Sequence, residues 1–244
     1  MRIFVAKIEI MAQRKNKYKM KKLSEVGTLI SAARYSVLET LPENRGRQYV
    51  AFQKRHIPRH SFYSVLKQRD IVRDAYFFSP SEKFDIYYIL FTLNSYIGQT
   101  MVNGGPESKR KTVTLTTLSQ VPIADIDLAR QKACGYMEQM IEALVNAKDR
   151  DRYIDYRIQT FGELRDAIIT ELIADDIIPF DGIELMDSWC SMFCRYSSES
   201  QSTATEETAK AIFEELKSPS NQLMNNLKKF RISVRKYAAL KLIK

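Results

Sequence analysis

NGGPESKRKTVTLTTLSQVPIADI, Asn103 to Ile126, is the stretch on which the reading of this 244-residue chain turns. It opens with a glycine turn closed by Pro106, carries three consecutive cations at Lys109, Arg110 and Lys111, and alternates apolar with polar up to Val121-Pro122-Ile123. A phosphate-cradling loop needs G-x-x-x-x-G-K-[ST], with glycine directly before the lysine and a helix starting at the hydroxyl residue. Ser108 precedes Lys109 instead, and Val113, Leu115 and Leu118 predict a strand where the helix would have to be. The spacing therefore speaks against a nucleotide site. The stretch reads as a basic hairpin turn, a last strand, and a proline exit near Ile123 that divides a mixed α/β half from an all-helical half.

Downstream, no proline follows Pro122 until Pro179, and apolar residues recur at Ile126, Ala129, Ala133, Met137, Met140, Leu144 and Ala147, in steps of three and four. The seam resumes at Ile154, Ile158, Phe161, Leu164, Ile168 and Leu172. It fits one helix of about 45 residues, roughly 70 Å long, or a helix pair weakened at Gly135 and Gly162. A narrow apolar stripe flanked by charge calls for a partner helix, from the same chain or from a second copy. Asp175-Asp176 to Gly182 predicts a loop, and Ile183–Arg195 and Thr205–Leu216 predict helices, the second capped by Thr205 with two glutamates in its first turn. A last helix follows Ser218-Pro219-Ser220, with Leu223, Leu227, Phe230, Val234, Tyr237 and Leu240 on one face and cations on the other.

Upstream, Ile3–Ile10 alternates as a strand or frayed arm, Leu23–Ala33 is a short apolar element, and Gln48–Phe52, Phe62–Leu66 and Asp70–Val72 are strand-like. Ser81 with Lys83–Asp85 predicts a helix entry, and Ile86, Ile89, Leu90, Leu93 and Ile97 predict a helix ending near Gly98. The fold class that follows is α+β, with a small mixed α/β domain over 1–123, a long helix or helix pair over 124–174, and a helical region over 175–244.

A hydrophobic content of 45% supports real cores, and no run reaches the roughly 18 apolar residues of a membrane span. The basic start lacks the apolar core of a secretory signal, and three cysteines without framework spacing fit a reducing compartment, so the expected location is cytoplasmic. The net charge of +9 is segregated. Residues Met1–Arg73 hold 17 basic and 5 acidic side chains, Asp74–Leu216 hold 13 and 24, and Lys217–Lys244 hold 8 and none. Two cationic ends around an acidic middle can hold a polyanion. Lys54, Arg55, Arg59, Lys67, Arg69 and Arg73, with Lys109, Arg110 and Lys111 in the turn, are the candidate contacts to DNA phosphates.

Catalytic chemistry has no comparable footing. His56 and His60 are four apart, but Pro58 between them prevents the helix that would aim both at one metal. Cys190 and Cys194 share a helix face without a second ligand pair, and Asp175, Asp176 and Asp181 are loop carboxylates with no nucleophile beside them. No metal, no cofactor and no enzymatic activity are expected.

Several of these segments resemble the specificity subunits of type I restriction-modification systems. There, a target-recognition domain ends in a helix, a glycine turn, a strand, a proline element and a spacer helix opened by a glutamine. Matching them are Tyr87-Tyr88-Ile89-Leu90 with Leu93 and Ser95, Gly104-Gly105, Val113–Leu118, Val121-Pro122-Ile123 and Gln131. KMKKLSEVGTLISA, Lys19–Ala32, is similar to the opening of such a domain. The likeness covers about half of the chain. Arg69 stands in Leu66–Val72 where glycine is usual, much of the base-reading stretch that should follow is missing, and there is one recognition-like unit rather than two. The resemblance implies a non-catalytic, duplex-DNA-binding subunit that positions a methyltransferase or nuclease partner, with the helical seam open to a homodimer. A protein-interaction scaffold that has lost base reading is the alternative.

Overall fold

The structure, a computed structural model, describes residues 18–31, 48–53, 64–67, 75–103, 113–147, 151–174, 182–197 and 203–242. The expected strands at 3–10 and 70–72, the glycine turn from 104, and most of the 175–182 loop lie outside these residues. The chain is mixed α/β and divides into two compact units, Lys19–Gly135 and Tyr136–Lys244.

The first unit runs β1 (Lys19–Lys22), α1 (Leu23–Val26), β2 (Gly27–Ser31), β3 (Gln48–Gln53), β4 (Ser64–Lys67), β5 (Ala75–Pro80), α2 (Ile86–Asn94), α3 (Tyr96–Asn103), α4 (Leu115–Ser119), β6 (Pro122–Asp125) and the opening turns of α5 (Leu128–Val145). Strands β2, β5, β3 and β4 form an antiparallel sheet in that order, with Leu29 and Val50 flanking Phe78. Consecutive strand residues face opposite sides of a sheet, so the complete burial of both Phe77 and Phe78 means that both faces of β5 are closed there. Helix α2 packs on β3, β4 and β5 and buries Tyr88, Ile89, Leu90, Phe91 and Leu93, each aliphatic or phenyl group contributing about 1.5–3 kcal/mol.

Three expectations in this unit are corrected. The residues after Val113 form a helix, because Thr114 accepts the Thr117 N–H as an N-cap and Leu115 and Leu118 then stand one turn apart. Only Leu118 of the two is buried. The proline element is itself a strand: β6 pairs antiparallel with β1, Pro122 opposite Lys22 and Asp125 opposite Lys19. The helix from Ile86 is capped by Asp85, the last residue of the expected entry, but it breaks at Ser95, whose hydroxyl donates to Thr92 O and accepts the Gly98 N–H. Gly98 does not end a helix; it lies in the first turn of α3, where a Cβ would lie 2.3 Å from Thr92 O.

The second unit holds the rest of α5, α6 (Ile154–Ala174), α7 (Leu185–Tyr196), α8 (Glu206–Leu216) and α9 (Gln222–Leu242). The apolar seam is therefore two helices. Helix α5 ends at Val145, and Asp151 opens α6 by accepting the Tyr153 N–H and pairing with Arg157 at 2.7 Å. The seam residues Met137, Met140, Leu144, Ile154, Phe161, Leu164, Ile168 and Leu172 are buried within the chain, and α7, α8 and α9 all pack on α6. The partner helices that the stripe calls for come from the same chain, one of the two sources expected for them. Thr205 caps α8 through the Thr208 N–H as its sequence predicts, and Asn221 caps α9 through the Met224 N–H. Among the described residues, no helix is long and apolar enough to cross a membrane.

Candidate nucleic-acid interface

Of the nine cations predicted to meet phosphate, Lys54, Arg55, Arg59, Arg69, Arg73, Lys109, Arg110 and Lys111 lie outside the described residues. Lys67 closes β4, the edge strand of the sheet, opposite Gln48. An edge position is accessible to a ligand backbone in a way that a central strand is not.

Gln131, near the start of α5, ties three backbone positions of the first unit together. Its side chain is almost completely buried, and its carboxamide is fully used. The carbonyl oxygen accepts the Asp85 N–H at 2.8 Å, and the amide nitrogen donates to Ile126 O at 2.8 Å and to Lys83 O at 3.2 Å. Asp85 in turn caps α2 by accepting the N–H groups of Tyr87 and Tyr88. The buried Tyr88 hydroxyl donates to Ala124 O in β6 at 2.8 Å, and burial holds its pKa well above the usual phenol value. Leu23 N–H donates to Val121 O, which ties the opening segment to the residue before β6. Gly135, one turn beyond Gln131, lets α5 approach this corner: a Cβ there would lie 2.8 Å from the Asp85 carboxylate and 2.9 Å from Tyr87 Cβ. Spacing alone could not show that one amide joins residues 83, 85 and 126.

In the second unit the exposed cations concentrate on α9. Leu223, Leu227 and Phe230 are buried, while Lys228, Lys229, Arg231, Arg235 and Lys236 are exposed. At 100° per residue these five fall within an arc of about 160°, opposite the buried stripe. Arg231 pairs with Glu163 on α6. Among the described residues, no acidic group pairs with the other four. The acid-free composition of Lys217–Lys244 was the signal that could have named these residues as candidates.

The second unit also holds a buried ion pair. Arg165 on α6 donates to Glu138 on α5 at 3.1 Å and 3.4 Å, with both side chains less than a tenth exposed. Glu142, one turn further along α5, is half-buried, and its carboxyl is pushed above the usual range by burial first and by the Glu138 charge second. A carboxyl whose pKa rises on folding favours the folded state below its unfolded pKa and loses that contribution as pH rises through the folded value. The charged form is thus a cost at neutral pH. Glu142→Gln is expected to raise the melting temperature at pH 7 and to leave it unchanged near pH 4, measured by circular dichroism on both proteins.

Among the described residues, no group of three or more His, Cys, Asp or Glu side chains could hold a metal ion. Cys134 is buried, Cys190 half-buried against the Met186 sulfur at 3.7 Å, and Cys194 exposed. No family model and no curated protein matches the chain.

Proposed function

We propose that this chain is a non-catalytic, DNA-binding subunit of the specificity type found in type I restriction-modification systems, positioning a methyltransferase or nuclease partner on duplex DNA. The observation that carries the reading is the Gln131 joint. The opening segment, the Tyr87–Leu93 helix and the proline-to-glutamine passage resemble the family as separate pieces of sequence, and hydrogen bonds link them in the fold: Leu23 N–H to Val121 O, the Tyr88 hydroxyl to Ala124 O, and Gln131 to the Asp85 N–H and Ile126 O. A joint of this kind fixes the cap of α2 and the end of β6 against the opening turns of α5. In this reading Lys54, Arg55, Arg59, Lys67, Arg69, Arg73 and Lys109–Lys111 meet phosphates.

One feature favours the second reading, a scaffold without base recognition. Only residues 68–74 separate β4 from β5, which leaves no room there for the base-reading stretch of a full recognition domain. The two readings differ in one measurable way. A base-reading subunit binds its own target far more tightly than arbitrary duplex, whereas phosphate contacts alone give binding that depends on salt and not on sequence. Co-purification from the native host tests the partner: a methyltransferase subunit retained with the chain is expected, and its absence together with no duplex binding at low salt would sink the proposal.

A further inference from the structure

The exposed face of α9 has no role in the recognition-domain reading, yet it is the densest cationic surface among the described residues. We infer that this face is a second nucleic-acid-binding surface, one that grips the phosphate backbone of duplex DNA without reading bases. Lys228, Lys229, Arg235 and Lys236 are exposed on one arc of a continuous helix and have no acidic partner among the described residues. They span about 12 Å along the helix axis, a length over which a duplex presents roughly seven phosphate charges. The surface is held rigidly: Asn221 caps the helix, and Leu223, Leu227 and Phe230 seat it in the second unit, where α9 packs on α6 and α7. Fixed cations on a seated helix lose less conformational freedom on binding than a free basic tail would.

An anionic membrane is the other polyanion a basic helix can meet, and the structure argues against it. Interfacial helices insert an apolar face into the headgroup region. The apolar face of α9 is already spent on α6 and α7, and Ile232, at 52% exposed, is the one large apolar side chain left on its described cationic arc. Duplex DNA needs no such insertion. Its phosphates reward four unpaired cations through counterion release, each contact adding about 0.9 to the slope of log affinity against log salt.

The inference takes from the proposed function only the choice of DNA as the polyanion, and it places the contact in the other unit. It is tested on the full chain by binding to a short fluorescent duplex of arbitrary sequence, titrated over salt. Three proteins are compared: the wild type, the α9 variant K228Q/K229Q/R235Q/K236Q, and a first-unit variant K54Q/R55Q/R59Q. All four α9 substitutions are exposed, and an unchanged circular dichroism melt shows that the variant is folded. The expected result is that the α9 variant loses about 3–4 from the salt slope and at least about tenfold in affinity at 0.1 M salt. An α9 variant indistinguishable from wild type, with the first-unit variant alone impaired, overturns this inference and leaves the proposed function standing. Loss confined to the α9 variant supports the inference and removes phosphate binding from the first unit. Binding by wild type to phosphatidylserine vesicles but not to duplex overturns the inference in favour of a membrane surface.

Discussion

Glu138→Ala is expected to cost about 3–5 kcal/mol of stability, the range for breaking a buried ion pair from one side. The size follows from what is left behind. Arg165 is nearly enclosed, its guanidinium cannot be neutralised by losing a proton, and the Glu138 carboxylate accepts both hydrogen bonds from its Nη1. Asp166 is near its Nε at 3.8 Å but is more exposed and too far for a hydrogen bond, so it offsets little of the loss. A domain is typically stable by about 5–15 kcal/mol in all, so a loss of this size leaves the helical unit close to unfolding at ambient temperature. The informative control is the double variant Glu138→Leu/Arg165→Met. It removes both charges and fills the space, and apolar replacement of a buried pair is often neutral or stabilising. Urea unfolding followed by circular dichroism should therefore place the double variant near wild type and the single variant far below it. If both were equally destabilised, shape rather than charge would be holding α5 on α6.

That pair lay beyond the reach of the sequence for a physical reason. Glu138 and Arg165 are 27 residues apart on a seam whose apolar residues were legible, but a seam does not say which polar neighbour is turned inward. Elements decided by nearest-neighbour chemistry were read well: Thr205 opening α8, the Gln48–Gln53 strand, and the helical stripe from Met137 to Leu172. Two elements were misread, one decided by long-range pairing and one by a local cap that the apolar pattern masked. Strand β5 was invisible because Tyr76-Phe77-Phe78 does not alternate, and it does not alternate because both faces are closed. The Val113–Leu118 alternation suggested a strand, but two apolar residues three apart fit one helical turn equally well, and the Thr114 cap decides between them. Between one long helix and a helix pair the stripe itself did not choose; Asp151, whose side chain accepts the Tyr153 N–H, starts the second helix of the pair. Of the candidate contacts to DNA, the charge blocks were visible in sequence, while the choice of α9 as a seated cationic face required knowing which of its sides is buried.

Gln131 is a buried polar position in the first unit at which one substitution removes three hydrogen bonds. Gln131→Leu preserves the volume of the side chain and removes all three of its hydrogen bonds at once. The buried Ile126 carbonyl and the part-buried Asp85 N–H and Lys83 carbonyl then lose their partner, and each buried polar group left unpaired costs about 1–3 kcal/mol. The expected total is about 3–5 kcal/mol, since the Lys83 bond is the longest and lies where water can substitute. Gln131→Glu separates hydrogen bonding from packing. It retains the acceptor for the Asp85 N–H but offers no donor to the two carbonyls, and it sets a second carboxylate beside Asp85, whose own pKa is already raised by burial. It should be at least as damaging as leucine at pH 7 and should recover as the pH falls and the new carboxyl gains a proton. Amide hydrogen exchange gives the local readout. In Gln131→Leu, protection should fall at Asp85, Tyr87 and Tyr88, the cap of α2, while the amides of α6 keep theirs. A Gln131→Leu protein that unfolds within about 0.5 kcal/mol of wild type, the range of an ordinary surface change, would mean that the β6–α5 link and α2 are joined by their apolar packing alone. The joint on which the specificity-type reading rests would then lose its physical basis.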